Sequence, residues 1–268
     1  GISADPFHAV DIVKGNLHVK NCVISSRSQA CVAIHGDANP IIESCKIKGG
    51  SEVGILVSET ARGKIIDNDI EGSELANIEV LARPHLHAPI QIDGNRIKHG
   101  GLHGIVVHSD GEAIIKRNEV HEHQGFGMKL TQRASTELEA NIVSMNHLGG
   151  IEVSDYASGS LVKNRIYGNK GPGIMITTFA TPIVKENTIL DGLGVGVHVK
   201  SEGAGTLTDN WIFQNCKSGV LVELGANPTF KDNRVYENKL EGILVQEKGK
   251  GLFELNEIYN NVLGGITI

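Results

Sequence analysis

One column of residues in this 268-residue sequence carries side chains that can do acid–base chemistry. The middle position of a recurring Asn-x-(Ile/Val) pattern holds Asp69, Arg96 and Glu119, and His121 lies two residues after Glu119. Carboxylates beside an arginine and a histidine are groups with which enzymes cleave or modify sugars. If the chain acts on carbohydrate, we expect these four residues to be catalytic. The alternative is structural, because opposite charges on neighbouring strands also form salt bridges on a solvated face.

An aromatic column occupies the second half of the chain. Tyr167, Phe213, Tyr236 and Tyr259 recur two positions after that middle position, and Trp211 occupies the middle position itself. Aromatic side chains stack on sugar rings and anchor protein partners, so we predict a binding surface at these five residues. The alternative is a stack of rings that only shields a corner of the fold.

Histidines are concentrated in one region: eight of 12 lie between positions 85 and 147. His85 and His87 belong to an insertion, and because insertions in repeat proteins often lie on the binding face, both are candidate binding residues. A second group is expected around one turn of the repeat: His99, His121, His123 and His147. Imidazoles this close can hold zinc or copper. No cysteine or carboxylate completes an obvious set of ligands, so we predict neither a metal nor another cofactor.

An internal repeat must position all of these candidates. An asparagine recurs at Asn68, Asn95, Asn118, Asn141, Asn164, Asn187, Asn210, Asn233 and Asn256. The step is 23 residues, except for 27 between Asn68 and Asn95, where the insertion falls. We place Asn21 at the head of this column and Cys45 in its one gap. A second column, Gly-apolar-x-apolar, keeps the same period from Gly54 to Gly265.

The repeat predicts the fold class. Each unit holds three short segments with apolar residues at alternate positions, which indicates β-strands separated by turns. One unit cannot bury its own apolar side chains, so units must stack into a continuous core. We therefore predict an all-β protein, a right-handed parallel β-helix of about 11 coils and roughly 50 Å in length. The asparagines are expected to form a structural ladder of hydrogen bonds, and the glycines to permit a backbone bend.

Composition and cysteine usage narrow the partners and the location. The net charge of −6 argues against a nucleic-acid partner, and no apolar run is long enough to span a membrane. Cys31 and Cys45 replace repeat residues and are expected to be buried thiols, which favours an intracellular location. We expect residues 1–268 to form one domain with residues 1–16 as an N-terminal cap, within a longer protein.

The repeat resembles the CASH-type (carbohydrate-binding and sugar-hydrolase) β-helix repeats. It is most similar to the β-helix region of F-box-only proteins, the substrate adaptors of ubiquitin ligases. The likeness rests on Asn-x-Ile, then Gly-Ile-x-Val, then a turn that ends in Pro or in Gly, and on the segment 38–45. It covers roughly residues 9–268. Because the matching residues are scaffold, the resemblance specifies a fold better than an activity.

Two functions therefore remain open at the level of sequence. The leading hypothesis is a non-enzymatic β-helix that binds a protein partner, as the substrate-binding region of a ubiquitin-ligase adaptor does. The second is a carbohydrate-binding or polysaccharide-modifying protein: a lyase, an epimerase or a hydrolase.

Overall fold

The computed structural model describes residues 7–83 and 88–268 and folds them into a right-handed parallel β-helix. Every coil contributes three strands, and each strand pairs in parallel with its equivalents in the coils before and after it. Residues 7–83 and 88–268 contain no helix, and therefore none that is long and apolar enough to cross a membrane. The predicted fold class and the approximate number of coils are confirmed.

Three sheets run the length of the β-helix, and we call them A, B and C. Sheet A has 12 strands: β1 (Val10–Gly15), β4 (Val32–Ala38), β7 (Ile55–Val57), β10 (Ala76–Val80), β13 (His103–Val107), β16 (Phe126–Leu130), β19 (Gly149–Val153), β22 (Ile174–Ile176), β25 (Val197–Val199), β28 (Val220–Val222), β31 (Glu241–Val245) and β34 (Gly264–Thr267).

Sheet B has 11 strands: β2 (His18–Lys20), β5 (Ile41–Glu43), β8 (Lys64–Ile66), β11 (Ile90–Asp93), β14 (Glu112–Lys116), β17 (Ser135–Glu139), β20 (Ser158–Val162), β23 (Ile183–Lys185), β26 (Thr206–Thr208), β29 (Thr229–Lys231) and β32 (Leu252–Glu254).

Sheet C also has 11 strands: β3 (Val23–Ser26), β6 (Lys46–Gly49), β9 (Asp69–Glu71), β12 (Arg96–Lys98), β15 (Glu119–His121), β18 (Ile142–Ser144), β21 (Arg165–Tyr167), β24 (Thr188–Leu190), β27 (Trp211–Phe213), β30 (Arg234–Tyr236) and β33 (Glu257–Tyr259).

The asparagine column forms a buried ladder in the turn between sheets B and C, as predicted. The side-chain amide of Asn118 donates to Oδ1 of Asn141 at 3.0 Å and to the Ile92 carbonyl at 2.9 Å. The Asn118 backbone N–H donates to the same Oδ1 at 3.0 Å. The preceding residue, Arg117, has φ 54°. Because that left-handed turn leaves backbone groups without strand partners, the asparagine satisfies them.

The first rung of this column is Cys22 and not Asn21, as we had placed it. The Cys22 backbone N–H donates to Cys45 Sγ, and Asn21 has the positive φ of the residue that precedes each rung. The same register makes the step from Cys22 to Cys45 23 residues. Cys31 and Cys45 are buried, as predicted.

A second polar ladder lies in the turn between sheets C and A. Asn215 donates to Oδ1 of Asn238, and Asn238 donates in turn to Asn261. His123 takes the place of an asparagine in this ladder. Its Nδ1 accepts from the Gly100 backbone N–H at 2.9 Å, and its own backbone N–H donates to Asn146 Oδ1. This histidine is fully buried and belongs to the scaffold.

The glycine at this position of the repeat has a different cause from the bend that we expected. Gly104, Gly150 and Gly196 do not have positive φ values. Space is what excludes a side chain: a Cβ on Gly150 would lie 2.4 Å from the carbonyl oxygen of Gly173 and 2.6 Å from Ile166 Cγ2. Glycine is therefore required because successive coils pack closely at this position.

The N-terminal stretch that we expected to be a cap includes a regular strand. Val10–Gly15 forms β1, which pairs with β4 as the first strand of sheet A. Residues 1–6 lie outside the described residues. The insertion falls in the turn between β10 and β11.

Candidate functional site

Sheet A carries a row of charged side chains on its outer face. In β13, Ile105 and Val107 point into the core and Val106 points outward. The residues in register with Val106 on the neighbouring strands are Glu79 and Lys129, and Glu152 follows Lys129. Because these strands are consecutive in the sheet, their charged groups lie within a few strand spacings of one another.

A cleft of about 250 Å³ opens on this face, and we call it the sheet A cleft. Its lining is Val53, Leu75, Ala76, Glu79, Leu102, His103, Val106, His108 and Lys129. An apolar floor with a few convergent polar groups is typical of small-molecule and substrate sites. Among these residues, four can exchange a proton or carry charge.

His108 and Glu79 form an ion-pair contact at the edge of the sheet A cleft. Nε2 of His108 lies 2.7 Å from Oε1 of Glu79, and both side chains are largely buried. Nδ1 of His108 lies 2.8 Å from the Ser109 hydroxyl, which donates to Gln132. Both ring nitrogens are thus engaged, which fixes the orientation of the imidazole.

Lys129 and Glu152 form the next pair along the row. Their Nζ and Oε2 atoms are 3.2 Å apart, and the Glu152 side chain is only 10% exposed. A carboxylate buried to this degree needs a cation beside it. Lys129 therefore lies at the cleft with its ammonium group fixed in position.

His103 is the neutral imidazole of the cleft. Burial, reinforced by the nearby Lys129 ammonium, lowers its pKa to about 4. Its Nδ1 accepts from the Phe126 backbone N–H at 3.0 Å, so the single ring proton resides on Nε2. Near neutral pH, His103 is an uncharged hydrogen-bond donor.

A second histidine–carboxylate pair lies further along sheet A. Nε2 of His198 is 2.9 Å from Oε1 of Glu223, and Gln246 donates to the other oxygen at 2.7 Å. Burial lowers the pKa of His198 although Glu223 is adjacent. Burial alone would raise the pKa of Glu223, but the hydrogen bonds from Gln246 and His198 lower it. The outer face of sheet A thus carries titratable pairs well beyond the cleft.

Sheet B has a larger depression with a different character. Its volume is about 700 Å³, and its lining includes the hydroxyl groups of Ser135, Ser158, Ser160 and Thr181. Two glutamates also line it, but no basic side chain or histidine does. Of these two depressions, the sheet A cleft is the one that brings imidazole and ammonium groups together with a carboxylate.

The four predicted catalytic residues lie on sheet C. Asp69, Arg96 and Glu119 are in register on β9, β12 and β15 and point outward. Arg96 forms no ion pair with either carboxylate, so the two salt bridges expected along this part of the column are not formed. Asp69 instead lies 3.5 Å from the Lys98 ammonium. Arg96 and Glu119 line a shallow depression of about 280 Å³.

His121, the fourth residue of that set, is nearly buried. Its side chain is 8% exposed, and its Nδ1 lies 3.2 Å from Glu122 Oε2. The ring centroids of His99 and His121 are 6.2 Å apart, and Nε2 of His99 lies 2.7 Å from the same Glu122 carboxylate. In residues 7–83 and 88–268, no group of three or more His, Cys, Asp or Glu side chains is arranged to hold a metal ion.

The predicted aromatic column is present on the outer face of sheet C. Phe213 and Tyr236 stack at 4.8 Å, and Tyr236 and Tyr259 stack at 5.0 Å. Arg165 packs over the ring of Tyr167. Because the stacked rings cover one another's faces, they present mainly their edges to a ligand. Trp211 lies outside the stack. The other two predicted binding residues, His85 and His87, lie outside the described residues.

The sheet A cleft was not predicted from the sequence, although a signal was present. The outward residues of sheet A are the x positions of the Gly-apolar-x-apolar column, where Glu79, Lys129, Glu152 and His198 interrupt an apolar series. These four residues depart from the repeat on a single face.

Known proteins give the fold a family context. The sequence model for the right handed beta helix region matches residues 8–88 and 82–230. No curated protein matches the sequence significantly. Neither the family match nor the structures below support the likeness to F-box adaptors that the sequence implied, nor a protein partner.

Several solved structures share the architecture at low sequence identity. The A-module of the Azotobacter vinelandii mannuronan C-5 epimerase AlgE4 has 12% identity and a TM-score of 0.70, covering 95% of this chain and 89% of that one. A mutant of the periplasmic alginate epimerase AlgG has 14% identity and a TM-score of 0.74, covering 94% and 74%. The Agl-KA catalytic domain has 12% identity and a TM-score of 0.52, covering 96% and 62%. At these identities the likeness shows the fold alone. On the strength of the family match, the chain belongs to the right-handed β-helix family.

Proposed function

We propose that this protein modifies a polysaccharide, with its reaction centre in the sheet A cleft. The observation that carries the proposal is the convergence of His108, Glu79, His103 and Lys129 on one cleft in the outer face of a long parallel sheet. The open face gives an extended polymer room on either side of the cleft. The structural neighbours named as epimerases of alginate support the same class of substrate.

The residues of the cleft can divide a proton transfer between them. With Glu79 holding Nε2–H of His108 at 2.7 Å, a substrate that displaces the Ser109 hydroxyl from Nδ1 gives the proton of a sugar carbon to that nitrogen, which later returns it. The Lys129 ammonium stabilises the negative charge that develops at the carbon, and His103 donates a hydrogen bond from Nε2. Each carboxylate of the row is already engaged, Glu79 by His108 and Glu152 by Lys129, whereas hydrolysis needs two carboxyl groups facing the glycosidic bond. The arrangement therefore favours epimerisation or elimination over hydrolysis.

The test is a screen of neutral and anionic polysaccharides for a change in chain length, unsaturation or sugar stereochemistry. On the polysaccharide that reacts, we expect His108→Gln and Lys129→Met each to lower kcat/KM by about 10²-fold or more. The matched control is Lys185→Met, which removes an exposed lysine of sheet B. The proposal fails if no polysaccharide reacts, or if both cleft variants retain the activity of the control.

A further inference from the structure

A cleft beside Trp211 lies on a different face from the reaction centre. It has a volume of about 370 Å³ and is lined by Asp209, Trp211, Asp232, Arg234, Leu255 and Glu257. These residues belong to the turn between sheets B and C and to the start of sheet C in three consecutive coils. We propose that this cleft, which we call the Trp211 cleft, is a second carbohydrate-binding site that takes an uncharged sugar.

The indole provides the apolar surface that a sugar ring needs. Trp211 is the only tryptophan of the chain, and it is 47% exposed. The guanidinium carbon of Arg234 lies 5.2 Å from the ring centroid, and Arg234 Nε donates to Glu257 Oε2 at 3.0 Å. The arginine is thus held from two sides and fixes the orientation of the indole. Arg234 covers one face of the ring, and the part of the indole that stays exposed can pack against the C–H groups of a pyranose ring.

Two carboxylates beside the indole have unused hydrogen-bonding capacity. Asp209 and Asp232 occupy equivalent positions of adjacent coils, with φ 57° and 55°. Neither side chain forms a hydrogen bond or an ion pair with any residue in the described part of the chain. Ionised carboxylates accept strong hydrogen bonds, and neighbouring hydroxyl groups of a sugar can donate to them.

The charges of the Trp211 cleft select the class of sugar. Three carboxylates face one guanidinium, so the cleft repels an anionic polymer. A cationic ligand would compete with Arg234, which already occupies the cation position over the indole. An uncharged sugar satisfies the hydrogen-bonding groups without either conflict.

This second site goes beyond the proposed function, because it binds an uncharged glycan on another face, separately from the polymer at the reaction centre. The inference rests on the proposed function only for the identity of the ligand as a glycan. Binding at Trp211 can be measured without turnover, so each proposal can fail separately.

The experiment uses the intrinsic fluorescence of the only tryptophan. The full chain is titrated with uncharged gluco- and manno-oligosaccharides and with a polyuronate oligosaccharide of equal length. We expect a saturable change in Trp211 emission with an uncharged series and none with the polyuronate. Asp209→Ala combined with Asp232→Ala should weaken binding by about tenfold or more. Asp67→Ala, at the equivalent turn position of an earlier coil, is the matched control and should bind as the wild type does.

Three results of the titration would each overturn the inference. They are the absence of any response to the uncharged sugars, a response to the polyuronate at equal affinity, and unchanged binding by the double variant. A His108→Gln protein that keeps the fluorescence response would support a site independent of the sheet A cleft. Loss of the response in that variant would contradict it.

Discussion

The glycine column shows how a single missing side chain sets the spacing of the coils. A Cβ on Gly127 would lie 2.5 Å from Val143 Cγ1, and one on Gly242 would lie 2.5 Å from Ile258 Cγ2. Such distances are too short for any side chain, so a larger residue must push two coils apart. The sequence pattern located the glycines correctly, but the reason for them became visible only when adjacent coils were stacked.

Gly150→Ala tests this explanation at the level of one methyl group. We expect the free energy of unfolding to fall by about 1–3 kcal/mol, because the new Cβ overlaps the Gly173 carbonyl oxygen and Ile166. Urea denaturation followed by circular dichroism measures the change.

The control for that variant is Gly265→Ala, in the same column of the last coil. A Cβ there would lie 3.8 Å from its nearest neighbour, Ile258 Cγ2. We expect its stability to change by less than about 1 kcal/mol. Equal losses in the two variants would show that backbone conformation, and not space, requires the glycine.

At the scale of the structural elements, a buried histidine of the second polar ladder, His123, makes the folding stability depend on pH. Burial lowers the pKa of His123 to about 4, from an ordinary value of 6.5. Between those two values the unfolded chain binds a proton that the folded protein does not. Folding stability therefore falls as the pH decreases from about 6.5 to about 4, because the unfolded state gains protons first.

The His123→Asn variant has an asparagine at this rung of the ladder, as the wild type has at the next rung, Asn146. We expect the loss of stability at acidic pH to be smaller in this variant than in the wild type, with part of it remaining because burial also lowers the pKa of His103. Denaturation at a series of pH values measures the slope. His147→Asn, which changes an exposed histidine, should keep the wild-type slope. Identical curves for the wild type and His123→Asn would refute this role for the buried imidazole.

The strands were predictable from the sequence, and the backbone conformation of the turns was not. The alternation of apolar residues fixes which side chains point inward, as in Ile105–Val107, because the period of a strand is two residues. Turn residues such as Gln132 and Arg133 adopt positive φ without being glycine, so composition gives no sign of them. The misplacement of the first rung at Asn21 has the same origin, because Asn21 itself occupies such a turn position.

The candidate site was less predictable than the fold because its members come from different parts of the repeat. Leu102 lies in a turn, His103 begins a strand, and His108 follows the end of that strand. Their convergence with Glu79 and Lys129 depends on how three coils stack. The sequence alone marks only Glu79 and Lys129, because these two interrupt an otherwise apolar column.

At the scale of the whole molecule, repetition supplies a rigid rod and the departures from repetition supply chemistry. The asparagine and glycine columns recur in almost every coil and serve the scaffold. The acid–base groups of the sheet A cleft and the single tryptophan on sheet C each occur in a few coils only. The two clefts lie on different faces of the rod, so each can bind its own glycan.

The most direct test of the central claim is to map where a substrate fragment binds. Methyl NMR spectra are recorded while the protein is titrated with oligosaccharides of the polysaccharide that it modifies. We predict saturable shifts for the methyl groups of Leu75, Leu102 and Val106, which line the sheet A cleft, and none for Ile114 and Ile183 on sheet B. Shifts confined to Ile114 and Ile183, with the sheet A methyl groups unmoved, would contradict the assignment of the reaction centre to sheet A.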